Sequence, residues 1–441
     1  MRLCITPEYK TEVFEGAGRI WITTKGQLRF SMLAKLDFSD LHRKWLPRLK
    51  SFGHSPQIYP VLDSDYLRLE ALDLNEDKWF SNWMIPCFNI SKGHYIELYG
   101  PFDYLTSHRI ISKGKEHSEF VILNPPNIPF EMTTKTIVLH DDKEISKGWS
   151  LNRQVIKSQD VKIQFNENSN NNTLLCTIKP LGEKPLLNNI NIHVVSALSF
   201  MLSTSLHPIY HYTSTPDFEI VHLSGQLTSD WKSGLPLPLN PTTIEDDKNL
   251  WELFTAYFDY LMRQSSSIAE FHPISLEYSK VIQASRGSLE GFALALSVSI
   301  EALLKICLRT NSKENIPKKE DIKELLSHIS KWDGNESLKK RTIGAIKSFN
   351  MIRSLDILME LKDNNLVTEK EISSWKKLRN MSAHGDEYND FDKQKIQELC
   401  SIVSGLMHKI VLYEIDYKGL FTNYSHESRP TEIFSDYSYK G

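Results

Sequence analysis

At 441 residues, with 40% hydrophobic and 24% charged residues, the chain has the composition of a globular protein of two or three domains, which excludes fibrous, collagen-like and wholly disordered classes. A formal charge of −3 gives no global attraction to nucleic acid, so RNA binding would have to use a local patch. Cys4, Cys87, Cys176, Cys307 and Cys400 are odd in number and form no close pair, which argues against a disulfide framework and a zinc site. Met1 to Lys10 lack the apolar core of a signal peptide, and no apolar stretch approaches the ~20 residues that span a bilayer. The expected setting is cytoplasmic, with no membrane partner.

Residues 1 to 235 read as a β-rich region. Arg19 to Thr24, Gly26 and Gln27 to Leu33 predict a hairpin, and Tyr95 to Leu98, Phe120 to Leu123 and Thr136 to Leu139 are further short strands. Val161 to Phe165 alternates cleanly and is joined by the polar Asn166 to Asn172 to Leu174 to Ile178, the best hairpin in the chain. Ile192 to Leu202 reads as one helix. Ser233 to Pro241, with three alternating prolines, suits an extended connector.

Beyond it, residues 245 to 420 read as helical. Thr243 with Asp246 resembles an N-cap, and Trp251, Phe254, Phe258 and Leu261 form one helix face. Leu289, Phe292, Leu296, Ile300, Leu303 and Cys307 mark a more apolar helix expected at the centre of a bundle. Amphipathic segments cover Glu320 to Ser330 and Lys339 to Leu361, the latter breaking near Asn350, and a last helix carries Ile396, Leu399, Val403, Met407 and Ile410. Residues 421 to 441 read as a polar, loosely held tail. The fold class is therefore α+β, a β-rich domain followed by an all-α bundle.

The chemistry concentrates in Trp375-Lys376-Lys377-Leu378-Arg379-Asn380-Met381-Ser382-Ala383-His384-Gly385. An Arg and a His with four to six residues between them recur roughly once or twice by chance in such a chain. The other case, Arg48 to His54, is broken by Pro47 and Gly53. Around Arg379 the context is helical. Thr368 and Glu371 form a capping box, Ile372, Trp375 and Leu378 recur at helical spacing, and Gly385 suits a left-handed terminator. Five positions along an ideal helix separate two side chains by about 140°, so Arg379 and His384 converge only if the helix ends or bends there.

RNA can be cleaved without metal when its 2′-hydroxyl attacks the adjacent phosphate. A His suits the proton transfer, and a guanidinium fork suits the phosphate oxygens. Arg379 and His384 are that minimum catalytic set. Asn380 adds an amide for phosphate or ribose, while Lys376, Lys377, Lys339, Lys340 and Arg341 could hold the RNA backbone. One His per chain is thin for paired acid and base work, so a two-fold dimer is the natural completion. Glu301, between Ile300 and Leu303 in the most apolar helix, needs a donor, and Arg379 is a candidate. The plainer alternative makes Arg379 and His384 cations complementing a helix C-terminus, and Lys376 and Lys377 a solvated face.

The apolar helix Ser299-Ile300-Glu301-Ala302-Leu303-Leu304, followed by the Arg379 to Gly385 motif and a closing amphipathic helix, resembles a HEPN domain. The β-rich region ahead of it resembles the layout of the ApeA-like branch of bacterial anti-phage proteins. That resemblance covers roughly residues 250 to 417. It implies a metal-independent Arg-x4-His endoribonuclease without cofactor, acting as a homodimer through the helical domain in abortive infection. The implied catalytic set is Arg379, His384, Asn380 and Glu301. Its substrate would be RNA, tRNA included, and its β-rich domain would answer a phage-derived trigger protein. The family includes inert members, so the competing expectation is a HEPN module that binds RNA, nucleotide or protein and mediates dimerisation without cleaving.

Overall fold

The computed structural model describes residues 2–5, 13–24, 26–35, 67–84, 86–90, 95–112, 114–140, 143–168, 172–187, 189–225, 233–241, 244–264, 271–307, 319–348, 353–384 and 393–434. Two compact units result, one formed by Met1–Asn191 with Leu206–Trp231 and the other by Ile192–Ser205 with Lys232–Gly441. A β-rich region precedes an all-helical one, as the hydrophobic periodicity implies.

The strands of the β unit are β1 (Arg2–Ile5), β2 (Val13–Ile22), β3 (Leu28–Lys35), β4 (Leu67–Leu72), β5 (Lys78–Met84), β6 (Cys87–Ile90), β7 (Tyr95–Phe102), β8 (Tyr104–Ile110), β9 (His117–Leu123), β10 (Met132–His140), β11 (Lys143–Ser158), β12 (Val161–Asn168), β13 (Thr173–Pro180), β14 (Tyr210–Ser214) and β15 (Phe218–Ser224). They form one sheet in the order β10-β11-β12-β13-β9-β14-β15-β8-β5-β4-β1-β2-β3-β7-β6. Alternation drives it. In β3, Leu28, Phe30, Met32 and Ala34 are buried while Arg29, Ser31, Leu33 and Lys35 face outward. Leu67, Leu69, Met84, Ile96, Leu98, Phe102 and Leu105 join that cluster from β4, β5, β7 and β8, so these strands share one core. Gly16 in β2 lies opposite Ala34, where a Cβ would sit 2.0 Å from the Leu33 carbonyl oxygen; only glycine permits that approach. The β12–β13 hairpin pairs Ile163 with Ile178 and Phe165 with Cys176, all buried.

The helices are α1 (Ile190–Met201), α2 (Ile244–Gln264), α3 (Pro273–Ser285), α4 (Leu289–Cys307), α5 (Lys319–Lys331), α6 (Glu336–Ser348), α7 (Ser354–Asp363), α8 (Glu369–His384) and α9 (Lys393–Glu414). Helix α4 packs against α3, α8 and α9, which makes it the centre of the bundle. Helices α6 and α7 are separate, α7 starting after Arg353, whose backbone is extended; the break expected near Asn350 itself lies outside the described residues. The N-cap expected at Thr243 lies outside the described residues, as do Arg48 and His54.

Two segments differ from the sequence reading. Ile192–Ser205, read with the β-rich region, groups with the helices, because the Phe200 ring stacks on Tyr257 at 4.7 Å and packs against Tyr278 at 4.9 Å. The segment after Leu420 is no loose tail through Phe434. Strands β16 (Leu420–Thr422) and β17 (Thr431–Ile433) pair, and Phe421, Tyr424 and Phe434 are buried. This hairpin also clamps the proline connector: Thr422 N donates to Pro238 O at 2.9 Å, and Tyr424 Oη to Leu237 O at 2.8 Å.

Candidate active site

The site hangs on α8, which is fixed at both ends. At its start, Glu371 Oε2 accepts from Thr368 N at 2.7 Å and from Thr368 Oγ1 at 3.0 Å, while Glu371 N donates to Thr368 Oγ1 at 3.2 Å, the reciprocal capping box the sequence implies. The carboxylate has a second duty that the sequence reading missed. Glu371 Oε1 lies 3.0 Å from Lys409 Nζ of α9, with both side chains 1% exposed. The signal was present as a lone lysine in the apolar run Leu406 to Leu412.

One turn on, Ile372, Trp375 and Leu378 are buried, and Trp375 Nε1 donates to Ser297 O of α4 at 3.2 Å. That bond joins the motif helix to the central helix, and four residues further along each of them Arg379 meets Glu301. The Arg379 Nε donates to Glu301 Oε1, with the side chains 52% and 25% exposed. The Arg379 guanidinium also lies over the Trp375 ring, 5.8 Å from its centroid. Among the described residues nothing hydrogen-bonds Nη1 or Nη2 of Arg379. The pair is thus an ion pair at the surface, held by one guanidinium nitrogen, with no partner for the other two among the described residues. Glu301 is less embedded than its apolar neighbours in sequence imply, because Leu294 and Val298 on the same side of α4 are themselves exposed.

The remaining expected site residues divide. Asn380 and Lys377 are exposed on α8 near Arg379, and Lys376 is half-buried. Helix α8 continues through His384, so no helix end falls between Arg379 and His384, and the two positions stand about 140° apart around the axis. The His384 side chain, Gly385 and the loop from Asp386 to Asp390 lie outside the described residues. Lys340 and Arg341 are exposed on α6, which packs on α5; neither pairs with Glu301. Elsewhere in the helical unit a cleft of about 650 Å³ is lined by the apolar Leu289 and Phe292 together with polar residues that include Gln394, Gln397 and Arg429. It does not include Arg379 or Glu301.

Among the described residues no group of three or more His, Cys, Asp or Glu is placed to hold a metal, and no helix is long and apolar enough to cross a membrane. No family model, no curated protein and no solved structure matches the chain.

Proposed function

We propose that the protein is a metal-independent endoribonuclease of HEPN type, an effector of bacterial anti-phage defence that acts in the cytoplasm by abortive infection. The observation that carries this reading is the Arg379–Glu301 pair. It orients a solvent-facing guanidinium in the last turns of α8 and, among the described residues, leaves its two terminal nitrogens for the non-bridging oxygens of a phosphate. In the reaction the RNA 2′-oxygen loses its proton to a base and bonds to phosphorus. The P–O5′ bond breaks, and the departing 5′-oxygen takes a proton. Arg379 stabilises the negative charge on the non-bridging oxygens, His384 moves the proton, Asn380 steadies phosphate or ribose, and Lys376 and Lys377 hold the backbone.

The uninterrupted helix between positions 379 and 384 favours a composite site in which two chains supply acid and base. Leu294 and Val298, 47% and 56% exposed, lie on the α4 stripe that leads to Glu301 and form the expected contact between the two copies.

The test is expression of the wild type beside Arg379→Ala and His384→Ala, with total RNA and growth read with and without phage. Cleavage should vanish in both variants, persist in EDTA, and leave a 2′,3′-cyclic phosphate and a 5′-hydroxyl. Chelator-sensitive cleavage leaving 5′-phosphates would sink the mechanism. Val298→Lys should give a monomer that no longer cuts.

The second reading, an inert HEPN module that binds nucleotide, is favoured by the cleft at Leu289, Phe292, Gln394, Gln397 and Arg429. It would gain if Arg429→Ala abolished nucleotide binding while no condition yielded cut RNA.

A further inference from the structure

We propose that the outward face of β2, β3, β7 and β6 is a platform for single-stranded nucleic acid, on which Trp21 and Tyr99 stack bases while Arg19 and Arg29 hold phosphates. The inference concerns the β unit and stands apart from the nuclease reading.

The inward residues of these strands supply the core, and the outward set is what alternation leaves. Register assembles that set into rows. Trp21 pairs with Arg29, which pairs with Pro101; one step along the strands, Arg19 pairs with Ser31, which pairs with Tyr99, which pairs with Cys87. The four proposed contacts thus fall in two adjacent rows, about 7 Å apart along the strand and about 4.8 Å apart between strands. Such steps suit successive nucleotides of an extended single strand. The Arg19 guanidinium lies 4.8 Å from the centre of the Trp21 ring, which holds the cation beside the aromatic surface.

Charge and exposure select the occupant. Arg19, Lys35, Tyr99, Tyr95 and Leu33 are exposed, and Arg29 is partly so. Of the two acids described on this face, Glu97 has its carboxylate engaged by Ser31 Oγ at 2.9 Å, and Glu15, exposed four residues before Arg19 in β2, stands opposite Arg2 of β1 in the register. Aromatic faces flanked by guanidiniums on an open sheet bind unstacked bases and backbone phosphate together. A duplex offers the phosphates but keeps its bases stacked inside. The face is therefore fitted to single strands.

The experiment measures fluorescence anisotropy of labelled oligouridylate, oligothymidylate and a blunt duplex against the full chain carrying Arg379→Ala, which removes cutting. The single strands should bind and the duplex should bind more weakly. Trp21→Ala should weaken binding about tenfold and Trp21→Phe should retain it, since stacking needs the ring and not the indole N–H. Arg19→Glu with Arg29→Glu should weaken it by more and lower the salt dependence by roughly one to two ions. Circular dichroism should be unchanged, because these side chains point away from the core. A preference for uridylate would assign a 2′-hydroxyl contact, and equal affinity would assign backbone and base stacking; both support the platform. Binding indifferent to Trp21→Ala and to the double charge reversal overturns it, as does no binding at all. Single strands held through this face by a wild type that never cuts RNA would support the platform and overturn the nuclease reading. Cutting with binding untouched by the reversals would do the opposite.

Discussion

The two ends of α8 carry the same chemistry in opposite surroundings. At the start, Glu371 and Lys409 are both 1% exposed, with the carboxylate shared between the lysine and the Thr368 cap and the lysine lying 5.7 Å from the centre of the Phe421 ring. Near the end, Glu301 and Arg379 are 25% and 52% exposed and meet through one nitrogen. A desolvated charge must be satisfied within the fold, or it destabilises strongly. The buried pair therefore spends its capacity on the fold and has none for a ligand. The exposed pair is worth little to stability, yet the guanidinium nitrogens that have no partner among the described residues can meet a phosphate. An ion pair's burial, and not its presence, separates the structural end of this helix from the solvent-facing one.

The largest expected effect comes from breaking the buried end. Lys409→Ala should cost about 3–5 kcal/mol in urea unfolding, because it leaves Glu371 charged and unpaired in the core. Combining Lys409→Met with Glu371→Gln should recover most of that loss, since the amide oxygen can still serve the Thr368 cap. A cost below about 1 kcal/mol for Lys409→Ala would mean that the pair is not desolvated in solution.

Next in size at pH 5, about 2 kcal/mol, is an acid effect beside that lysine. His408 is buried, 3.2 Å from Tyr278 Oη and edge-on to Phe200, and burial holds its imidazole at about 3 against an ordinary 6.5. The unfolded chain takes up the proton below 6.5 and the folded chain does not. Stability should be unaffected above that pH and should fall by roughly 1.4 kcal/mol per unit as pH drops from 6.5 towards 3. His193 and His211, both held at about 4 with burial as the main cause, add slopes of the same sign. The measurement is thus a difference. His408→Leu should unfold with a shallower acid slope than the wild type, and equal slopes would show that His408 titrates normally.

How much of this was legible depends on sequence distance. The β2–β3 and β12–β13 hairpins, the capping box and the buried faces of α4 and α8 all follow from periods and caps within a dozen residues. The Arg379–Glu301 contact was anticipated from a cost argument, a carboxylate in an apolar helix needing a donor. That argument identified the partner and overstated the burial, because a helix with apolar residues around its circumference leaves some of them in solvent, here Leu294 and Val298. The Lys409 partner, the grouping of Ile192–Ser205 with the helices and the docking of Phe421 and Phe434 were not legible. Each depends on contacts between segments far apart in the chain, and an apolar pattern says that a residue is covered without saying by what.

The smallest effect on the fold is expected at the exposed end, and it sharpens the comparison most. Glu301→Gln keeps an oxygen that can accept from Arg379 Nε but removes the charge opposite the guanidinium. Because the pair is exposed, stability should change by less than about 0.5 kcal/mol, whereas the buried counterpart loses several times that. If Glu301 is a positioning residue for Arg379, RNA cleavage should fall about tenfold, mainly in kcat, as expected when a group held for the transition state becomes less well aimed. Glu301→Asp should recover part of the loss, since it restores the charge at shorter reach. A decorative surface pair would leave kcat untouched in both variants, and Glu301→Ala would then be as active as the wild type.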